Sequence, residues 1–103
     1  MTTVQILYWH DIPSQVRARA GRERASVALS ARFQEAIDAA AMACGLIGSD
    51  DYTNAFSWGD PVDHAGSPEQ AAAEIAARIE AETQSIDWRA TANRVKSQSR
   101  GSE

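Results

Sequence analysis

The chain has 103 residues, of which 44% are hydrophobic and 23% charged, so we expect one globular domain with one core and exclude extensive disorder. No apolar run approaches the roughly 18 residues that a membrane span needs, and the N-terminus lacks a signal-peptide pattern, which predicts a cytoplasmic location. The single Cys44 excludes an internal disulfide bond.

The net charge of −4 is unevenly distributed along the chain. Residues 1–32 carry +3, residues 33–87 carry −10 and residues 88–103 carry +3. Opposite charges attract over a Debye length of ~8 Å at physiological salt. We therefore expect the basic ends to lie over the acidic middle, within one molecule or across a homodimer.

Residues 4–20 predict a β-hairpin. Residues 4–9 are mostly β-branched, aliphatic or aromatic on both faces, which is typical of a central strand. Pro13 predicts a turn within a loop of about five residues, and arginine then alternates with alanine and valine, as in a strand with one buried face. We interpret residues 21–28 as a basic connector.

The sequence predicts two main helices from residues that typically begin and end a helix. After Ser30, a candidate N-cap, apolar residues recur at helical spacing until Gly45, a candidate left-handed C-cap. The stretch Ser67-Pro68-Glu69-Gln70 combines an N-cap, a proline at the first helical position and a capping box. Between the helices, residues 52–58 favour one or two helical turns, and residues 59–66 favour a short third strand whose proline suits a sheet edge.

Ser85 is a candidate cap for a further short helix that runs through Trp88 toward Val95. We expect one domain over residues 1–96 and a flexible, disordered tail over residues 97–103. The order β-β-α-β-α predicts an α+β fold, with a small, mostly antiparallel three-stranded sheet and two main helices on one face.

The sequence offers weak signals for chemistry. His10, Asp11, Asp60, Asp63 and His64 are potential metal ligands, but they lack the paired spacing that is typical of structural zinc sites, so we predict no metal and no cofactor. Cys44 precedes a helix-ending glycine, where the helix dipole disfavours a thiolate. Phosphate-loop, dinucleotide and serine-nucleophile motifs are absent from the sequence. We therefore predict no catalytic residues, and a non-enzymatic role is favoured.

Two binding roles remain open. Four arginines between Arg17 and Arg24, beside Tyr8 and Trp9, would supply phosphate contacts and stacking planes to RNA. The isoelectric point of about 5.1 and the acidic middle make nucleic acid an unlikely partner. Binding another protein, or a second copy of the chain, fits the aromatic and arginine residues better.

Two motifs carry a family resemblance. Y-W-H-D-I-P-S-Q-V and R-F-Q-E-A-I-D-A-A-A-M-A-C-G-L-I-G-S-D-D-Y, with a tryptophan near the third strand, resemble the small bacterial virulence-factor domain of the staphylococcal virulence factor C module. The resemblance covers about residues 4–80, and the family usually has arginine or lysine where His10 stands. It implies an interaction module or, by association with one-carbon gene clusters, a small subunit of a folate or corrinoid methyl-transfer enzyme complex.

The leading hypothesis is a non-catalytic accessory or protein-interaction domain of a bacterial cytoplasmic protein. RNA binding through residues 17–24 and the methyl-transfer subunit are the alternatives. The expected surface combines the hairpin loop with one face of the first long helix. Its residues are Trp9, Asp11, Pro13, Gln15, Arg17, Arg32, Glu35, Asp38 and Met42.

Overall fold

A five-stranded antiparallel sheet forms the centre of the computed structural model, which describes residues 1–46, 48 and 50–101, residues 98–101 by their backbone only. The strands are β1 (Thr2–Trp9), β2 (Ile12–Ala20), β3 (Glu23–Ala28), β4 (Phe56–Trp58) and β5 (Val62–His64). Their order is β3-β2-β1-β4, and β5 also pairs with β1. On that side of β1, β4 pairs with Leu7–Trp9 and β5 with Thr2–Val4, so two short strands share one edge.

The helices are α1 (Ala31–Cys44), α2 (Asp50–Asn54), α3 (Pro68–Glu82) and α4 (Trp88–Gly101). Helices α1 and α3 pack on the same face of the sheet, and α4 packs against α1. Among the described residues, no helix is long and apolar enough to cross a membrane.

The core lies between the sheet and helices α1 and α3. Phe33 and Ile37 of α1 and Val16 of β2 are fully buried there. Both helices contribute small residues to the interface: Ala36, Ala40, Ala41, Ala71, Ala72 and Ala76 are buried. Small side chains let a helix approach a sheet closely, because the backbones are then separated by little more than a methyl group.

The predicted α+β class and antiparallel sheet are confirmed, but the sheet has five strands rather than three. The supposed connector is β3, joined to β2 by a turn in which Gly21 has a φ of 61°. The predicted helical turns at residues 52–58 are only partly right, since α2 ends at Asn54 and β4 follows. The β1–β2 loop has two residues, because Ile12 and Pro13 already pair with Trp9 and Tyr8.

The residues predicted to begin and end the helices agree with the structure only in part. Gly45 ends α1 with a φ of 72°, and the capping box of Ser67 and Gln70 is present, as predicted. Ser30 precedes α1 but its side chain does not cap that helix. Asp87, rather than Ser85, accepts a hydrogen bond from the first turn of α4. Helix α4 continues to Gly101, beyond the predicted domain end at residue 96.

Candidate functional site

The face of the sheet opposite α1 and α3 carries arginines. On β2, Val16 and Ala18 are buried on the helix side, so the alternating Arg17 and Arg19 are exposed on the other. The β2–β3 register sets Arg19 opposite Arg24. Three guanidinium groups of two neighbouring strands therefore share one surface.

Arg17 is held in place at the centre of this surface. Its guanidinium lies 3.7 Å from the centroid of the Trp58 ring, which is a cation–π contact. Its Nε and Nη2 donate hydrogen bonds to Oε1 of Gln5 at 3.2 and 2.8 Å. Nε2 of Gln5 donates in turn to the carbonyl of Gly59 at 3.2 Å. The contacts of Arg17 thus tie β2 to the β1–β4 edge.

The surface forms an open depression of about 390 Å³. We call it the arginine face and define it by Gln5, Gln15, Arg17, Arg19, Arg24 and Trp58. Thr3, Ala18, Ala25 and Ser26 complete its lining. Arginine and glutamine side chains bind anionic and polar groups, and the tryptophan ring offers a plane for stacking.

The arginines of this face have no carboxylate partner among the described residues. The three ion pairs of that part of the chain lie elsewhere, between Arg32 and Glu80, His64 and Glu74, and Arg94 and Asp11. We predicted that the basic ends of the chain lie over its acidic middle. This holds for Arg32, but not for Arg17, Arg19 or Arg24. Their positive charge is available to a partner.

One residue of the predicted surface requires correction. Trp9 is 0% exposed, so its side chain cannot contact a partner in the folded domain. Its indole Nε1 donates to the carbonyl of Tyr52 at 2.9 Å, and the Tyr52 ring lies 6.1 Å away. Trp9 is therefore a core residue that contacts Tyr52 of α2.

Asp11 binds the C-terminal helix. Its Oδ1 accepts a hydrogen bond from the Thr91 hydroxyl at 2.6 Å, and its Oδ2 pairs with Arg94. Partial burial works to raise the pKa of Asp11, but the hydrogen bonds from Thr91 and Arg94 outweigh it and lower the pKa below its usual value. Asp11 is thus engaged within the molecule.

Two further members of the predicted surface join helices. Arg32 donates to the side chain of Glu80 at 3.1 Å and to its carbonyl at 2.9 Å, which links α1 to α3. Oδ1 of Asp38 accepts from the Tyr52 hydroxyl and from Gln34, both at 2.9 Å, which links α1 to α2. Burial and the bond to Asp38 raise the pKa of Tyr52.

The remaining members are divided between two sides of the molecule. Gln15 and Arg17 belong to the arginine face, and Pro13 is half-buried beside them on β2. Glu35 and Met42 are exposed on α1, which packs against the opposite face of the sheet. The predicted surface left out four residues of the face, Gln5, Arg19, Arg24 and Trp58. Arg24 and Trp58 were missed because the pairing of β3 with β2 and of β4 with β1 was not foreseen.

The two histidines among the potential metal ligands lie at opposite ends of β1. His10 and Asp11 form the β1–β2 turn, whereas His64 is opposite Thr2 at the start of β1. Eight residues of strand separate these positions by more than about 20 Å. Among residues 1–46, 48 and 50–101, no three His, Cys, Asp or Glu side chains cluster as a metal site would require.

Cys44 packs at the contact between α1 and α4. Its Sγ donates to the carbonyl of Ala92 at 3.4 Å, and burial raises the pKa of the thiol. A raised pKa reduces the thiolate fraction at neutral pH, so this cysteine is poorly suited to nucleophilic attack.

Comparison with known families adds a decisive observation. The model of the Virulence factor family matches residues 7–87, which include β2, β3, α1, α3 and the last three residues of β1. The chain belongs to the Virulence factor family. Comparison with curated proteins and with solved structures finds no match. The family match includes every defining residue of the arginine face except Gln5, and it ends one residue before α4, which lies outside the matched region.

Proposed function

We propose that this virulence-factor domain is a non-catalytic interaction domain that binds an acidic segment of a partner protein on its arginine face. The observation that carries the proposal is the set of three arginines on a helix-free sheet face, without carboxylate partners among the described residues. Arginine is enriched at protein interfaces because it combines charge, hydrogen bonding and stacking in one side chain.

The chemistry of the lining supports recognition rather than proton transfer. General acid–base catalysis needs a group whose pKa lies near the working pH. Arginine remains protonated, and glutamine, serine, threonine and tryptophan do not titrate near neutrality. The face therefore offers fixed positive charge and hydrogen-bond donors, which suits an anionic ligand.

The spacing of the arginines favours an extended partner. Arg17 and Arg19 are two residues apart on one strand, so their Cα atoms are separated by about 6.7 Å. In an extended peptide, alternate side chains repeat at the same interval of about 6.7 Å. A segment with acidic residues at alternate positions can therefore place one carboxylate near each guanidinium.

Calorimetric titration with two matched peptides tests this proposal. A peptide of four Glu-Val repeats should bind the wild-type domain, and one of four Gln-Val repeats should bind at least about tenfold more weakly, since it lacks the charge. The variant Arg17→Ala/Arg19→Ala should lose the binding, while Arg78→Ala on α3, away from the arginine face, should retain it. Equal binding of both peptides, or binding unaffected by the double variant, would contradict the proposal.

Single-stranded RNA is the second candidate, favoured by the Trp58 ring beside Arg17. An aromatic plane flanked by arginines can stack a base while the guanidinium groups contact phosphates. An electrophoretic shift with an oligouridylate at two salt concentrations separates this candidate from the first. A shift that weakens steeply with salt and requires Trp58 would favour RNA, because neutralising phosphates releases counterions. The absence of a shift at low salt would eliminate it.

A further inference from the structure

A second concavity lies on the helix side of the sheet, away from the arginine face. It has a volume of about 380 Å³ and is enclosed by β1, residues 59–64 and α3. Pockets that bind small molecules commonly measure about 300–1,000 Å³. We call this concavity the edge cleft.

The edge cleft exists because α3 does not cover the β4–β5 edge. The buried alanines of α3 bring it close to β2 and β3, and Ile75 and Ile79 of the same helix line the cleft beside β1. Strands β4 and β5 are interrupted at Gly59, whose amide donates to the Ile6 carbonyl at 2.8 Å. A space therefore remains between the β4–β5 edge and α3.

The walls of the cleft are apolar but incompletely buried. Ile6, Tyr8, Ile75 and Ile79 are half-buried, and Val62 at the mouth is 62% exposed. Several adjoining apolar side chains that remain accessible are typical of a ligand-binding groove, since a monomer gains nothing by exposing them together.

Tyr8 supplies an aromatic surface inside the cleft. One side of its ring is closed by Gly59, where a Cβ atom would lie only 3.0 Å from Cε2 of the tyrosine. Tyr8 is half-buried, and its side chain lines the cleft. A cation above such a ring is attracted by its quadrupole, with a strength of about 0.5–2 kcal/mol.

The charges around the mouth are predominantly negative. Asp60, Asp63 and Glu82 line it, against a single arginine, Arg78. Within the described residues these four side chains form no ion pair with one another. Three carboxylates and one guanidinium leave a negative potential above an apolar floor.

We propose that the edge cleft binds a small organic cation with an aliphatic or aromatic body. The body packs against Ile6, Val62 and Ile79, and the cationic group lies near the Tyr8 ring and the carboxylates of Asp60 and Glu82. The proposal is independent of the partner of the arginine face, because the two concavities lie on opposite sides of the sheet.

An NMR titration of the full chain with three six-carbon probes tests the proposal. n-Hexylammonium should shift the amide resonances of residues 6, 8, 62 and 79 in a saturable manner. Hexanol and hexanoate should bind more weakly, because the first lacks the charge and the second carries the opposite one. Equal affinity for hexanol or hexanoate, or no saturable shift with hexylammonium, would overturn the proposal.

Variants locate the binding. Asp60→Asn/Glu82→Gln should weaken hexylammonium binding by about three- to tenfold, as expected for two solvent-accessible charge contacts. Glu35→Gln removes an exposed carboxylate from α1 and should leave the affinity unchanged. Equal losses in both variants would show a non-specific charge effect and refute the site.

Sedimentation distinguishes a small ligand from self-association. A monomeric wild-type protein that binds hexylammonium supports the proposal. A dimer that Val62→Asp converts to monomer would show that a second copy covers the cleft, and would overturn it.

Discussion

At the residue scale, Trp9 was predicted from its motif to lie at an interface, but it lies in the core. Tryptophan is enriched in both settings, since its large ring is apolar and its N–H needs one partner. Here the Tyr52 carbonyl accepts that N–H and the ring is fully buried. Loss of a partner in a Trp9 variant would therefore report loss of folding.

We predict that Trp9→Ala lowers the free energy of unfolding by about 3–5 kcal/mol, the range for truncating a buried large aromatic side chain. Domains of this kind are stable by only about 5–15 kcal/mol, so the variant should be close to unfolding. Urea denaturation measures the change. Trp58→Ala is the matched control, since this half-exposed ring should cost markedly less; similar losses for both variants would contradict the core position of Trp9.

At the element scale, a single carboxylate fixes the start of α1. Oε2 of Glu80 accepts from the Ser30 amide at 2.6 Å, and Oε1 accepts from the Ser30 hydroxyl at 2.8 Å. Glu80 thus satisfies from α3 the amide of the residue that precedes α1, as the N3 side chain does in a capping box, although the Ser30 side chain accepts nothing from the first turn. The hydrogen bond from the Ser30 amide is the main reason that the pKa of Glu80 is lowered, assisted by the Ser30 hydroxyl and Arg32 against partial burial.

We predict that Glu80→Gln destabilises the domain at neutral pH and that the difference from wild type disappears in acid. A carboxylate with a lowered pKa in the folded state stabilises it at pH values above its ordinary pKa of about 4.5. That stabilisation is lost as the pH falls through the lowered folded-state pKa. Thermal denaturation at several pH values measures the effect, with Glu69→Gln as an exposed control on the same helix. A pH-independent difference would contradict this role of Glu80.

Prediction from sequence succeeded for elements whose signals are local. The Gly45 cap and the Ser67 capping box are read within a few residues, and α1 and α3 have these ends. Strand β3 was missed because alanine, arginine and serine in residues 23–28 have weak strand propensity, and pairing with β2 supplies the stabilisation. The Gly21 turn and the alternation around Arg24 were the available signals. The contact of Trp58 with Arg17 depends on the pairing of β4 with β1, a long-range contact that no local pattern reveals.

At the scale of the whole molecule, charge is separated by side. Eight acidic residues lie on α1, α2 and α3, whereas Arg17, Arg19 and Arg24 lie on the sheet. The low isoelectric point that argues against an anionic partner is thus an average over surfaces of opposite sign. An anionic segment can approach the sheet while α1, α2 and α3 repel it, which would orient its encounter with the domain.

The two ends of the chain are joined through Asp11, Thr91 and Arg94. We predict that Asp11→Asn lowers the stability of the α4 contact by about 1 kcal/mol, at the low end for charge-assisted hydrogen bonds because Asp11 is half exposed. Hydrogen exchange should accelerate in α4 while β1 and β2 remain protected. Asn93→Ala, at an exposed position on α4, should leave exchange unchanged. Unaltered exchange in Asp11→Asn would show that α4 is held by apolar packing alone.

The interruption of the β4–β5 edge at Gly59 also affects solubility. An exposed strand edge is a template for adding strands from other molecules, and long uninterrupted edges carry the greatest risk of aggregation. Strands β4 and β5 have only three residues each, and Pro61, which lacks an amide proton, lies between them. The longer free edge is β3, where Glu23 and Arg24 place charges at its start. At high concentration, intermolecular strand pairing should therefore begin at β3, and the charged pair at its start is the chain's protection there.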